Sequence, residues 1–137
     1  MENNIVLSVK CPHCGTSLID QGKMVRNHPG IKINIVTDSN RGILWLCPVY
    51  GCFAHDSDIS LAKDEVVKFF CPHCNKSLLI NQMCDQCGAP MVAMNIKIGG
   101  KVNICSRNGC NNHFMVFEDP NDALGLFYDK YDNITKK

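Results

Sequence analysis

Apolar and polar residues alternate along two stretches of the chain. Ile31, Ile33 and Ile35 are separated by Lys32 and Asn34, and the turn-rich Asp38-Ser39-Asn40-Arg41-Gly42 follows. The run Ile43-Leu44-Trp45-Leu46 then leads straight into Cys47. A period of two marks a half-buried strand, so these residues predict a β-hairpin. Val92, Met94, Ile96 and Ile98 repeat the pattern. There Gly99-Gly100 predicts a two-residue turn, and Lys101-Val102-Asn103-Ile104 returns into Cys105. After Asp119-Pro120 the period changes. Leu124, Phe127, Tyr128 and Tyr131 fall at i, i+3, i+4 and i+7. That single apolar stripe predicts a short C-terminal helix over 123–132, capped by Asn121-Asp122 and weakened by Gly125.

The two hairpins belong to a repeat. Val9-Lys10-Cys11-Pro12-His13-Cys14 returns as Phe69-Phe70-Cys71-Pro72-His73-Cys74, an offset of 60 residues. Cys47, Cys52 and His55 return as Cys105, Cys110 and His113, an offset of 58. Two copies of one module, 1–62 and 63–118, followed by a tail at 119–137, describe the chain most economically. The polar stretch 56–65 joins them. Only the second copy carries Cys84 and Cys87; the same offset in the first falls on Met24 and Asn27.

Ten cysteines in five close pairs set the chemistry: Cys11/Cys14, Cys47/Cys52, Cys71/Cys74, Cys84/Cys87 and Cys105/Cys110. A C-x2-C pair at a tight turn aims two sulfurs at one point, which is half of a tetrahedral zinc site. Each hairpin would carry a second pair back beside the first, the knuckle–hairpin–knuckle layout of a zinc ribbon. On that reasoning Cys11, Cys14, Cys47 and Cys52 form one site. In the second copy Cys84 and Cys87 can join Cys105 and Cys110 across 17 intervening residues. The repeat instead suggests Cys71 and Cys74 with Cys105 and Cys110. Either choice leaves one pair over, as a reduced vestige or as half of a third zinc site completed by His55, His73 or His113. His13 and His73, at the middle of their knuckles, are expected to face solvent. Trp45, Phe53, Phe69, Phe70, Phe114 and Phe117 adjoin cysteine pairs and are expected to pack over them rather than stack on bases.

The stretch Cys84-Asp85-Gln86-Cys87-Gly88-Ala89-Pro90-Met91 with its hairpin and Cys105-x4-Cys110 resembles the zinc ribbons at the C-terminal end of bacterial type I topoisomerases. The resemblance covers about 30 residues. It implies binding to single-stranded DNA or to partner proteins through aromatic and basic residues beside the metal, for which this chain offers Arg107 and Phe114. Cys71-Pro72-His73-Cys74 with Cys84 to Pro90 is also similar to the double-zinc-ribbon units of small bacterial and archaeal proteins. That similarity implies a site made of Cys71, Cys74, Cys84 and Cys87.

Length and charge narrow the picture further. At 137 residues and 15.3 kDa, two modules are each too small to be held by an apolar core alone, so metals or disulfides must supplement it. The first ten residues do not read as a secretory leader and no apolar run is long enough to span a bilayer. A cytoplasmic protein is expected, in which paired cysteines hold metal rather than disulfides, and zinc before iron–sulfur. The formal charge is +1. Two four-thiolate zinc sites would take it to about −3, away from the basic excess of a nucleic-acid binder.

Catalytic signatures are missing. Four-thiolate sites are closed, and no H-E-x-x-H, H-x-E…C-x-x-C or G-x-S-x-G sequence occurs. Cys-Pro-His-Cys serves redox chemistry when it opens a long helix, but both copies run on into Ser-Leu and turn-like or strand-like sequence. The expectation is a small, β-rich, metal-stabilised protein: two tandem zinc ribbons holding two zinc ions, or three. It would be a non-enzymatic adaptor or accessory subunit for a protein partner, without a small-molecule substrate. Nucleic-acid binding is the first alternative; iron–sulfur or thiol redox chemistry is the second.

Overall fold

The computed structural model describes residues 5–97 and 99–116. Ten strands make up its regular structure: β1 (Val9–Lys10), β2 (Ile19–Val25), β3 (His28–Val36), β4 (Arg41–Leu46), β5 (His55–Ser57), β6 (Lys68–Phe70), β7 (Leu79–Met83), β8 (Pro90–Ile96), β9 (Lys101–Cys105) and β10 (His113–Val116). No helix occurs among the described residues, and so none there is long and apolar enough to cross a membrane. The helix expected over 123–132 lies outside the described residues.

Both expected hairpins form. Ile31 pairs with Leu46 and Ile33 with Leu44 in one, Val92 with Ile104 and Met94 with Val102 in the other. The second hairpin does not close through a two-residue Gly99-Gly100 turn: its ladder stops at Asn95 and Lys101, and the Gly100 carbonyl accepts from the Ile96 N–H. Each hairpin gains a third strand from the residues after its second knuckle, β5 on β4 and β10 on β9. The strands after each Cys-Pro-His-Cys, β2 and β7, pair with β3 and β8 with a shift of register midway. That irregularity explains why their alternation is faint in the sequence.

The repeats exchange their first strands. β1 of the first copy pairs with β8 of the second, Val9 opposite Ile96; β6 of the second pairs with β3 of the first, Phe69 opposite Ile35. Two five-stranded sheets result, β1-β8-β9-β10 with β7 on β8, and β2-β3-β4-β5 with β6 on β3. Their apolar faces share one core. Leu7, Val9, Leu18, Ile33 and Ile35 of the first copy are buried with Val67, Phe69, Leu78 and Met94 of the second. The core is therefore common to both repeats, and the exchange places the two Cys-Pro-His-Cys turns side by side.

Candidate metal centres

Three C-x2-C turns share one geometry because three backbone groups impose it. The first cysteine's N–H bonds to the residue five positions on: Cys11 to the Thr16 carbonyl, Cys71 to Lys76 and Cys84 to Ala89, at 2.7–3.0 Å. Its carbonyl accepts from the residue four on, Gly15, Asn75 or Gly88. Those residues sit at φ 75°, 62° and 80°, the left-handed region that glycine and asparagine tolerate best. Inside the loop an N–H is free to point at sulfur: His13 to Cys11 at 3.3 Å, His73 to Cys71 at 3.3 Å and Gln86 to Cys84 at 3.4 Å. The C-x4-C turns do the same more loosely, with Arg107 N–H at 3.5 Å from Cys105 sulfur and Gly109 at φ 97°.

Eight thiols then converge in two groups. Cys11, Cys14, Cys71 and Cys74 form the first and Cys84, Cys87, Cys105 and Cys110 the second, with all sulfurs of a group within 4.8 Å of one another. Contacts across the first run 3.7 Å from Cys11 to Cys74 and 3.7 Å from Cys14 to Cys71. Across the second they are 3.8 Å from Cys84 to Cys110 and 3.4 Å from Cys87 to Cys105. Metal–sulfur bonds of about 2.3 Å in a tetrahedron place sulfurs about 3.8 Å apart. Each donor set therefore fits one ion.

The expected first site is corrected by this arrangement. Cys11 and Cys14 meet Cys71 and Cys74, not Cys47 and Cys52, because strand exchange brings the two identical turns together. The pairing of Cys71 and Cys74 with Cys84 and Cys87, and that with Cys105 and Cys110, are likewise not found. Cys84, Cys87, Cys105 and Cys110 do converge, across the β8–β9 hairpin. Cys47 and Cys52 stand outside both groups.

Polar neighbours prepare the thiols for a cation. The hydroxyl and N–H of Thr16 bond to Cys14 and draw it down to about 6 from an ordinary 9.0. Burial pushes Cys71 up to about 12. In the second group burial works to raise Cys84, yet it falls to about 6 because the Asn112 amide, 3.2 Å away, and the N–H groups of Gln86 and Cys87 favour the thiolate. The Ala89 N–H and the Arg107 guanidinium lower Cys87 in the same way. Each group thus sets a thiol lowered by hydrogen-bond donors, Cys14 or Cys84, beside one that burial raises, Cys71 or Cys105.

No histidine joins either group. His13 and His73 are exposed, as their place in the knuckles predicts, and His13 Nε2 lies 3.0 Å from the Ser77 carbonyl. His55 is exposed, 3.3 Å from the Phe53 carbonyl. His113 accepts the Gly51 N–H at 3.0 Å and packs against Tyr50 and Phe53, and burial lowers its pKa. Among the aromatics, Phe69 is core, Trp45 and Phe70 are half-buried, and Phe53 is exposed; the side chains of Phe114 and Phe117 lie outside the described residues. Sequence reasoning missed Met91, which with Cys84, Ala89 and Cys105 forms a small apolar cluster under the second group.

The fold and these centres define a small β protein with two tetracysteine groups suited to metal. Comparison with protein-family models, with curated proteins and with solved structures finds no match. The likeness to topoisomerase ribbons accordingly extends no further than the residues that carry it.

Proposed function

We propose that this chain is a non-enzymatic structural-zinc protein whose two zinc sites rigidify a surface for a protein partner. The observation that carries this reading is the closed, four-thiolate composition of both groups. Thiolates at this spacing saturate one tetrahedral ion, leaving no position for water or substrate, and soft sulfur donors favour zinc over harder divalent ions. The zinc would supply folding free energy instead of chemistry.

Two features favour a protein partner over nucleic acid. With both sites filled the net charge falls to about −3, which repels phosphate. Met24 and Met83, on edge strands β2 and β7, each pair with a proline, Pro29 and Pro90, and remain 59% and 61% exposed. Flexible methionines beside an unpaired strand edge suit a protein surface that adds a strand or packs a side chain there.

Elemental analysis of the purified chain should give two zinc ions. Chelation should abolish its near-ultraviolet circular dichroism. A Met24→Glu/Met83→Glu variant should retain zinc and fold while losing a co-purifying protein. Tight, salt-dependent binding to single-stranded DNA by the zinc-loaded chain would refute the partner reading.

A further inference from the structure

Cys47 and Cys52 hold in the first repeat the place of Cys105 and Cys110 in the second, and both line one cleft. Their complementary knuckle is missing. Met83 and Pro90 flank the six residues 84–89, whereas the equivalent Met24 and Pro29 flank only Val25-Arg26-Asn27-His28. The shortened tip is a two-residue turn with Arg26 at φ 53° and Asn27 at φ 70°. From it the Arg26 guanidinium stands near enough to the pair for its charge to favour the thiolate of either cysteine. A fixed positive charge thus stands where the second repeat has two more thiolates.

That substitution changes what the pair can bind. A guanidinium repels a divalent cation and stabilises a thiolate, and two sulfurs are half of a closed site. No other Cys, His, Asp or Glu joins them among the described residues. Both sulfurs line a cleft with Tyr50, Phe53, His55 and His113, so a small oxidant has somewhere to enter.

We propose that Cys47 and Cys52 are a metal-free, peroxide-reactive dithiol that closes to an intramolecular disulfide, with Arg26 as its positioning residue. Cys52 is the more exposed of the two, whereas Cys47 is buried. Its thiolate attacks one oxygen of hydrogen peroxide, the O–O bond breaks, and a sulfenic acid and hydroxide result. Cys47 then attacks the sulfenic sulfur; the S–O bond breaks and the hydroxyl leaves as water with the Cys47 proton. The hydroxide takes up the proton that Cys52 had released. Two thiols are oxidised to one disulfide and one peroxide is reduced to two waters. Metal-bound thiolates of the two clusters react more slowly, so the site depends on the two-zinc reading above for its selectivity.

The test uses the zinc-loaded full chain, treated with stoichiometric hydrogen peroxide at neutral pH, alkylated and digested with trypsin. The peptide 42–63 carries Cys47 and Cys52 and no other cysteine. It should lose the mass of two hydrogens and escape alkylation while both zinc ions remain bound. Arg26→Met should slow that loss roughly 10-fold with zinc content unchanged. A third zinc that disappears in Cys47→Ser would overturn the proposal, as would peptide 42–63 staying reduced while the cluster cysteines oxidise. Unchanged kinetics in Arg26→Met would overturn the role of Arg26. A zinc count below two with the disulfide still forming supports the dithiol and counts against the zinc reading alone.

Discussion

Replacing Cys74 by serine tests the union of the two repeats at its narrowest point. Cys74 sulfur lies 3.7 Å from that of Cys11, so Cys74→Ser removes one of four thiolates from the first cluster. Structural zinc sites bind with an apparent free energy of about 10–16 kcal/mol at neutral pH, and one ligand's equal share is about 2.5–4 kcal/mol. Such a loss weakens binding about 10²- to 10³-fold. It is also a large fraction of the roughly 5–15 kcal/mol that holds a domain folded. Equilibrated against a chelator of intermediate affinity, the variant should keep one zinc per chain where the unaltered protein keeps two, and its urea midpoint should fall. Cys52→Ser is the control: it leaves both clusters intact and should change stability by no more than about 1 kcal/mol. Zinc lost from Cys52→Ser and kept by Cys74→Ser would refute the pairing across repeats and restore the pairing within them.

Other substitutions probe single contacts. Asn112→Ala removes the amide that donates to the Cys84 thiolate at 3.2 Å, so protons compete better for that sulfur and displace the metal at higher pH. A bond worth about 1.5 kcal/mol, spread over about four protons taken up on release, raises the acid-release midpoint of the second site by about 0.3 pH unit. A chromogenic zinc indicator reads this, with the first site as internal reference. Gly42→Ala places a methyl group 2.8 Å from Ile59 Cγ2 and 2.9 Å from Ile59 Cγ1, and should cost about 1–3 kcal/mol in urea unfolding as residues 58–59 are pushed off β4. Ile33 is fully buried between the repeats, and Ile33→Ala should cost about 2–5 kcal/mol by the same measurement.

The hairpins were legible because a sheet with one wet face writes its period into the sequence, as Ile31, Ile33 and Ile35 do. β8 is less legible: Met91, Val92, Ala93 and Met94 are all buried, since one face meets the shared core and the other faces the second cluster. The cysteines named the chemistry but not the partners. Loop length ranks Cys47 and Cys52 as the nearest complement to Cys11 and Cys14, and the ladders that decide otherwise, β1 on β8 and β6 on β3, are two and three residues long. Ladders so short leave no periodic trace. One signal was present all the same. Once Cys84 and Cys87 take Cys105 and Cys110, Cys71 and Cys74 have no complement in their own copy, and their twin tetrapeptide is the pair that remains identical to them.

The two clusters act on the chain over different distances, and that difference bears on why only one repeat carries the second. The shortest loop closed by the first runs between Cys14 and Cys71, 57 residues apart; for the second it is Cys87 to Cys105, 18 apart. Treated as cross-links on an unfolded chain, these closures are worth about 4 and about 3 kcal/mol of lost chain entropy. The first also fastens the seam where β1 and β6 change sheets, with Val9 and Phe69 packed in the common core directly before its turns. The second rests on its own small apolar group of Cys84, Ala89, Met91 and Cys105. A repeat can lose a local clip of that kind and stay tied to its neighbour. The first repeat has no such clip: a four-residue tip stands where the second has its knuckle, and Cys47 and Cys52 stand outside both clusters. Each repeat's Cys-Pro-His-Cys turn supplies half of the first cluster, so with metal bound there the loss of either turn would untie both.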